Sequence, residues 1–249
     1  MVWYLTVVRQ NGLTCFWGGT FMPDHGPIYI ETLLAMAKDP RPVVMEPWNT
    51  GSALLFIFIA LCWMRRLHGR KTKDVFLPFA VTLLLVGGIG GTLYHGLRTQ
   101  RIYLLMDWMP IAILSVTFVV WIVEQLTHRK VLVFLVPVLG FLSLLVLHYV
   151  FVRLRLTSLG PSVGYVFLAL YILIPLFLHL RKEKYLGAKY VYGATGAFLV
   201  AYLCRSIDRM ALLPMGTHFL WHVFGAVATH LLLSYVWFVQ TSNRSDQES

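Results

Sequence analysis

Gly216-Thr-His-Phe-Leu-Trp-His222 opens the last apolar run of the chain, and its two histidines decide how the rest is read. The run, residues 217–239, holds no Asp, Glu, Lys or Arg. It exceeds the roughly 20 residues that a helix needs to cross hydrocarbon. Four residues separate His218 from His222, so on a helix both imidazoles share a face and can reach one ion. An ionisable pair is costly in hydrocarbon and marks a functional site unless neighbouring helices satisfy it. Which of the two applies depends on what other spans bring to the same depth.

The remaining sequence has the same character. Of its 249 residues, 58% are hydrophobic and only 13% charged, against about 25% charged in a soluble domain. The formal charge of +10 is carried in short clusters between apolar runs rather than along one face. That pattern suits membrane loops and argues against nucleic acid as a partner. Cys15, Cys62 and Cys204 are too few and too scattered for a disulfide framework or a cysteine zinc site. The opening Met1-Val-Trp-Tyr lacks the basic n-region of a cleavable signal peptide, so insertion is expected to rely on the first true span.

Seven spans follow, at about residues 49–64, 75–97, 103–126, 131–151, 163–180, 190–209 and 217–239. The fold expected is an all-α membrane protein, a seven-transmembrane helix bundle with an intramembrane metal site. Residues 1–48 form an extracytoplasmic segment interrupted by prolines and glycines, with a short interfacial helix beginning near Ile28. Asn49 reads as the N-cap of the first span. Residues 49–239 form the membrane domain, and residues 240–249 a polar tail expected to be frayed and disordered. Lys and Arg are concentrated in the first and fifth loops, which places the C-terminus in the cytoplasm and the N-terminus outside or in a lumen. The result is an integral, multi-pass protein surrounded by membrane lipids. Neither its oligomeric state nor its host membrane, bacterial inner membrane or eukaryotic endomembrane, is legible.

With seven spans, His95 at the end of the second, Asp107 at the start of the third, and His218 and His222 at the start of the seventh lie in one layer. Three histidines with one open position form a catalytic zinc arrangement. Zinc polarises a carbonyl and lowers the pKa of its water, and a nearby carboxylate can take the proton. His95, His218 and His222 are therefore read as Zn2+ ligands and Asp107 as the base, with a cap on span three or a pair with Arg101 as the structural alternative for Asp107. His148 and His25 compete for the third ligand position. Arg205 and Asp208, spaced i, i+3, read as an ion pair beside the site. The last span holds no lysine, which sets aside a retinal Schiff base.

Four blocks in order, Glu46-Pro-Trp-Asn49, Gly91-Thr-Leu-Tyr-His95, Leu105-Met-Asp107-Trp-Met-Pro110 and Gly216-Thr-His-Phe-Leu-Trp-His222, resemble the alkaline ceramidases of the CREST superfamily. The resemblance spans essentially the whole chain. It implies an intramembrane zinc amidase that hydrolyses ceramide or a related N-acyl lipid to a fatty acid and an amine. His95, His218 and His222 match the zinc ligands, and Asp107 matches the acid that assists the zinc water. Two departures stand out. The family serine four residues before the second-helix histidine is Gly91 here, leaving Thr92 on the neighbouring flank as the hydroxyl to replace it. Glu31 and Glu46 match the acidic core of the family's Ca2+ loop, but Ile28 and Leu33 stand where further oxygen donors belong. The alternative function is a seven-helix receptor or signalling protein in which the zinc is structural.

Overall fold

The computed structural model describes residues 22–69, 75–154 and 160–248. Cys15 and the Arg70-Lys71-Thr72-Lys73 part of the basic first loop lie outside them, as does the His148 side chain. Among the described residues there is no strand. The elements are eight α-helices and one 3-10 turn: α1 Ile30–Met36, α2 Pro47–Leu67, α3 Phe76–Leu97, α4 Arg101–Thr127, α5 Lys130–Arg153, α6 Gly160–Lys182, α7 Ala188–Ser206, the turn Asp208–Met210, and α8 His218–Glu248. Five of these helices, α2, α3, α4, α5 and α8, are long and apolar enough to cross a membrane. By that measure the chain is a multi-pass membrane protein. α7 is diluted by Lys189, Arg205, three tyrosines and two glycines, and is not among the five.

The expected first helix falls at Ile30–Met36. The first span differs at its start, because Pro47 rather than Asn49 opens α2. Proline suits that first position, where its missing N–H would have had no helical partner. At the other end α8 runs on to Glu248, although a frayed tail from residue 240 was expected. Nothing in Gln240-Thr-Ser-Asn-Arg-Ser-Asp-Gln-Glu248 provides the Gly or Pro that stops a helix.

The chain packs as two compact units. Among the described residues, the first contains 22–62, 84–110 and 198–226; the second contains 63–69, 75–83, 111–154, 160–197 and 227–248. In the first, the glycines of Val86-Gly-Gly-Ile-Gly-Gly-Thr92 let α3 approach its neighbours closely. A Cβ on Gly90 would collide with the backbone of Met106 on α4, and one on Gly88 would lie 2.9 Å from the Ile57 backbone nitrogen on α2. The second unit is held by aromatic packing. Phe76 stacks on Trp121 at 5.6 Å, and Trp63 meets Trp237 edge-on at 6.1 Å. His179 Nδ1 lies 2.8 Å from the Tyr235 hydroxyl, and the Trp63 indole N–H donates to His230 Nδ1 at 3.2 Å. Those two histidines thus have partners of their own. α5 presents most of its apolar side chains outward, Phe134, Leu139, Phe141 and Val146 among them, as a helix facing lipid tails does.

Candidate metal centre

All members of the site belong to the first unit. His95, His218 and His222 are buried, and one ligand atom from each falls within 4.8 Å of the others, a set that could hold a metal ion. The helices bring them together for local reasons. His95 ends α3, whose terminal carbonyls are orphaned by helix geometry. Two are capped by the segment before α2, with Met45 N–H donating to Gly96 O at 2.8 Å and Glu46 N–H to His95 O at 3.2 Å. His218 opens α8. There Asp208 Oδ1 accepts the backbone N–H groups of Thr217 at 2.7 Å and His218 at 2.9 Å. Its Oδ2 accepts Ile30 N–H at 3.2 Å, so one carboxylate caps α8 and anchors α1. Gly216, at φ +80°, makes the turn beside Asp208, where any Cβ would strike that carboxylate.

Each ring is oriented by a different neighbour. Tyr29 stacks on His218 with ring centroids 3.7 Å apart. His222 Nδ1 lies 2.9 Å from Ser52 Oγ and 3.1 Å from Asn49 O. The Ser52 hydroxyl itself donates to Asn49 O, so His222 is the donor to both oxygens and keeps Nε2 for a ligand. His95 Nδ1 lies 2.6 Å from Glu46 Oε2, which fixes the same tautomer. His95 Nε2 and His218 Nδ1 are buried without a hydrogen-bond partner. A buried polar atom left unpaired costs about 1–3 kcal/mol. Two such nitrogens in one three-histidine cluster are free to take a metal ion, and a three-histidine donor set fits Zn2+.

Protein-family models were searched without a match, and no curated protein matches either.

Asp107 lies against α3 at Gly91. A Cβ on Gly91 would be 2.7 Å from Asp107 Oδ1. Gly91 is one helical turn before His95 and shares its face, so the carboxylate sits beside the histidine cluster. Thr92 does not take the place of the family serine, because its hydroxyl donates to Gly88 O at 2.7 Å, along its own helix. His25 is exposed and outside the cluster. Asp208, read as the ion-pair partner of Arg205, spends its oxygens on backbone N–H groups. The Arg205 guanidinium lies over the Trp221 ring at 5.3 Å.

Glu31 and Glu46 both reach Asn49, but their oxygens are taken up by protein donors. Glu31, in the first turn of α1, accepts the N–H groups of Trp48 at 2.7 Å and Asn49 at 2.9 Å and so caps α2. Burial raises its pKa above the ordinary carboxylate value in spite of those bonds. Asn49, read as the cap, instead donates its side-chain amide to Glu46 Oε2 at 2.9 Å. Glu46 Oε1 accepts from Thr32 Oγ1 and Arg98 Nη1. Burial would raise the Glu46 carboxyl, but His95 and Arg98 outweigh it and hold the pKa at about 2. The cation among these acids is Arg98, and every carboxylate oxygen already has a protein donor. That is not the open set of six to eight oxygens calcium takes. Sequence reasoning missed Asp24, Thr32, Ser52 and Arg98. Nothing in their spacing signals a role, because each acts through a partner far along the chain.

Proposed function

We propose that the protein is a zinc-dependent intramembrane amidase that hydrolyses the amide of ceramide or a related N-acyl lipid. In this reading all seven long helices cross the membrane, with the N-terminus on the exoplasmic side and the C-terminus in the cytoplasm. α6 and α7 form a pair of spans, consistent with the contact between Phe177 and Tyr192 at 6.0 Å. The observation that carries the proposal is the buried three-histidine cluster with two orphaned ring nitrogens, and a carboxylate against Gly91, one turn before His95.

His95, His218 and His222 would hold the ion, which would polarise the amide carbonyl and acidify a water near neutral pH. Asp107 takes the water proton at Oδ1 as the C–O bond forms and returns it to the amide nitrogen as the C–N bond breaks. The products are a fatty acid and an amine. Surrounding helices exclude bulk water and keep the lipid chain in the leaflet.

The resemblance to the alkaline ceramidases supports this reading. So does the chain's membrane character, which puts a lipid amide within reach. A structural zinc in a receptor or signalling protein is favoured by one feature: Gly91 offers no hydroxyl, and Thr92 has committed its own to Gly88. Turnover separates the two. Purified protein given a panel of N-acyl lipids should release fatty acid, with His218→Ala losing zinc and activity together, and Asp107→Asn keeping zinc while slowing about 100-fold or more. No turnover by the zinc-loaded wild type leaves the structural reading.

A further inference from the structure

We infer that Arg98 is a positioning residue for the metal, acting through Glu46 to fix the tautomer and orientation of His95. The inference rests on the metal reading above. Arg98 is almost fully buried, which an arginine accepts only when its donors are met. All five are. Nε donates to Asp24 Oδ2 at 2.6 Å, Nη2 to Asp24 Oδ1 and Pro27 O at 3.1 Å each, and Nη1 to Thr32 Oγ1 at 3.2 Å and to Glu46 Oε1. The guanidinium lies 4.7 Å above the Tyr94 ring. Its backbone closes α3 at φ +52°, a left-handed conformation that normally goes to Gly or Asn and costs an arginine about 1–2 kcal/mol. A strained cap and a saturated fork indicate that the side chain's destination decides the residue at position 98.

That destination is Glu46. With Arg98 and Thr32 on Oε1 and Asn49 on Oε2, Glu46 is held as an acceptor with one remaining role, to accept the hydrogen bond that His95 Nδ1–H donates. His95 must then present Nε2, the buried nitrogen with no partner, to the cluster. Asp24 fastens the other edge of the fork, so the segment before α1 is tied to the ligand on α3. Lysine could not do this, because an ammonium has no planar fork to engage Asp24 and Glu46 together.

The test is metal binding by the full-length protein in detergent. Protein stripped of metal is titrated with Zn2+ against a competing chelator, and separately with Co2+, whose visible bands report coordination geometry. Arg98→Met, checked for native helicity, should bind Zn2+ about 10- to 100-fold more weakly and shift the Co2+ bands. Arg98→Lys should show a smaller loss in the same direction. Wild-type affinity and bands in Arg98→Met, even with a lowered melting temperature, would make Arg98 a structural tie and overturn the inference alone. Should Arg98→Met not fold, Arg98→Lys decides: weaker binding supports the inference, and wild-type binding overturns it. Failure of the wild-type protein to bind Zn2+ would overturn the metal reading and this inference with it.

Discussion

At the scale of single residues, the proposed chemistry turns on the pair Gly91 and Asp107. A Cβ at position 91 would lie 2.7 Å from Asp107 Oδ1, closer than real contacts allow. The atom it meets is the end of a flexible side chain, so the carboxylate swings away while the helices stay in place. Gly91→Ala is therefore expected to slow hydrolysis about 100-fold or more while zinc content, measured by elemental analysis, stays at the wild-type level. An unchanged rate would show that Asp107 moves no proton. Glu46 makes a second prediction, about pH. The fold lowers its carboxyl from an ordinary value of 4.5 to about 2, chiefly through His95 and Arg98 working against burial. A depressed acid stabilises the fold fully above its unfolded value, and the contribution drains away as pH falls through its folded value. In metal-free protein, the melting temperature should drop between pH 4.5 and 2, and the drop should shrink in Glu46→Gln. Parallel curves for the two proteins would remove Glu46 from this role.

At the scale of elements, the site depends on how closely α3 can approach α4 and on how α8 begins. Gly90 faces the Met106 backbone, whereas Gly51 on α2 has nothing within 4 Å of where a Cβ would go. The same substitution should then act with opposite signs. Gly90→Ala pushes backbone against backbone and is expected to destabilise by about 1–3 kcal/mol. Gly51→Ala meets open space and removes glycine's entropy cost within a helix, a gain of about 0.5–1 kcal/mol. Thermal denaturation of the two variants side by side checks both signs. The start of α8 shows the complementary device. Asp208 lies just beyond α7 in a short turn, and from there its carboxylate meets the first N–H groups of α8 and of α1. One side chain thereby sets where His218 enters the cluster.

At the scale of the whole molecule, the proposed zinc ion would be linked to stability, because a ligand that binds only the folded state stabilises it by mass action. At a free Zn2+ concentration 100 times the dissociation constant the gain is about 2.7 kcal/mol. For a chain of this size that corresponds to a rise of roughly 5–10 °C in melting temperature. Chelation should lower the melting temperature by that amount and Zn2+ should restore it. His222→Ala protein should show neither change. A chelation-insensitive wild type would mean that the cluster carries no ion.

Sequence alone determined the features that depend on local composition and on one helix at a time. Low charge, long apolar runs and basic loops declared a helical membrane protein. A spacing of four put His218 and His222 on one face, and the same counting along neighbouring runs selected His95 and Asp107. The short helix near Ile28 was legible for the same reason, as an apolar stretch between prolines. Tertiary structure alone decided the partners. Glu31 caps a helix 16 residues downstream for which the sequence points to Asn49, and Asp208 caps two helix starts where its spacing points to an ion pair with Arg205. Arg98, which carries no motif, became the cation among Asp24, Glu46 and Thr32. The physical reason is that a buried charge must be neutralised by whichever groups the fold brings within about 3 Å. Proximity of that kind is set by how the helices pack, and residue spacing along the chain does not encode it.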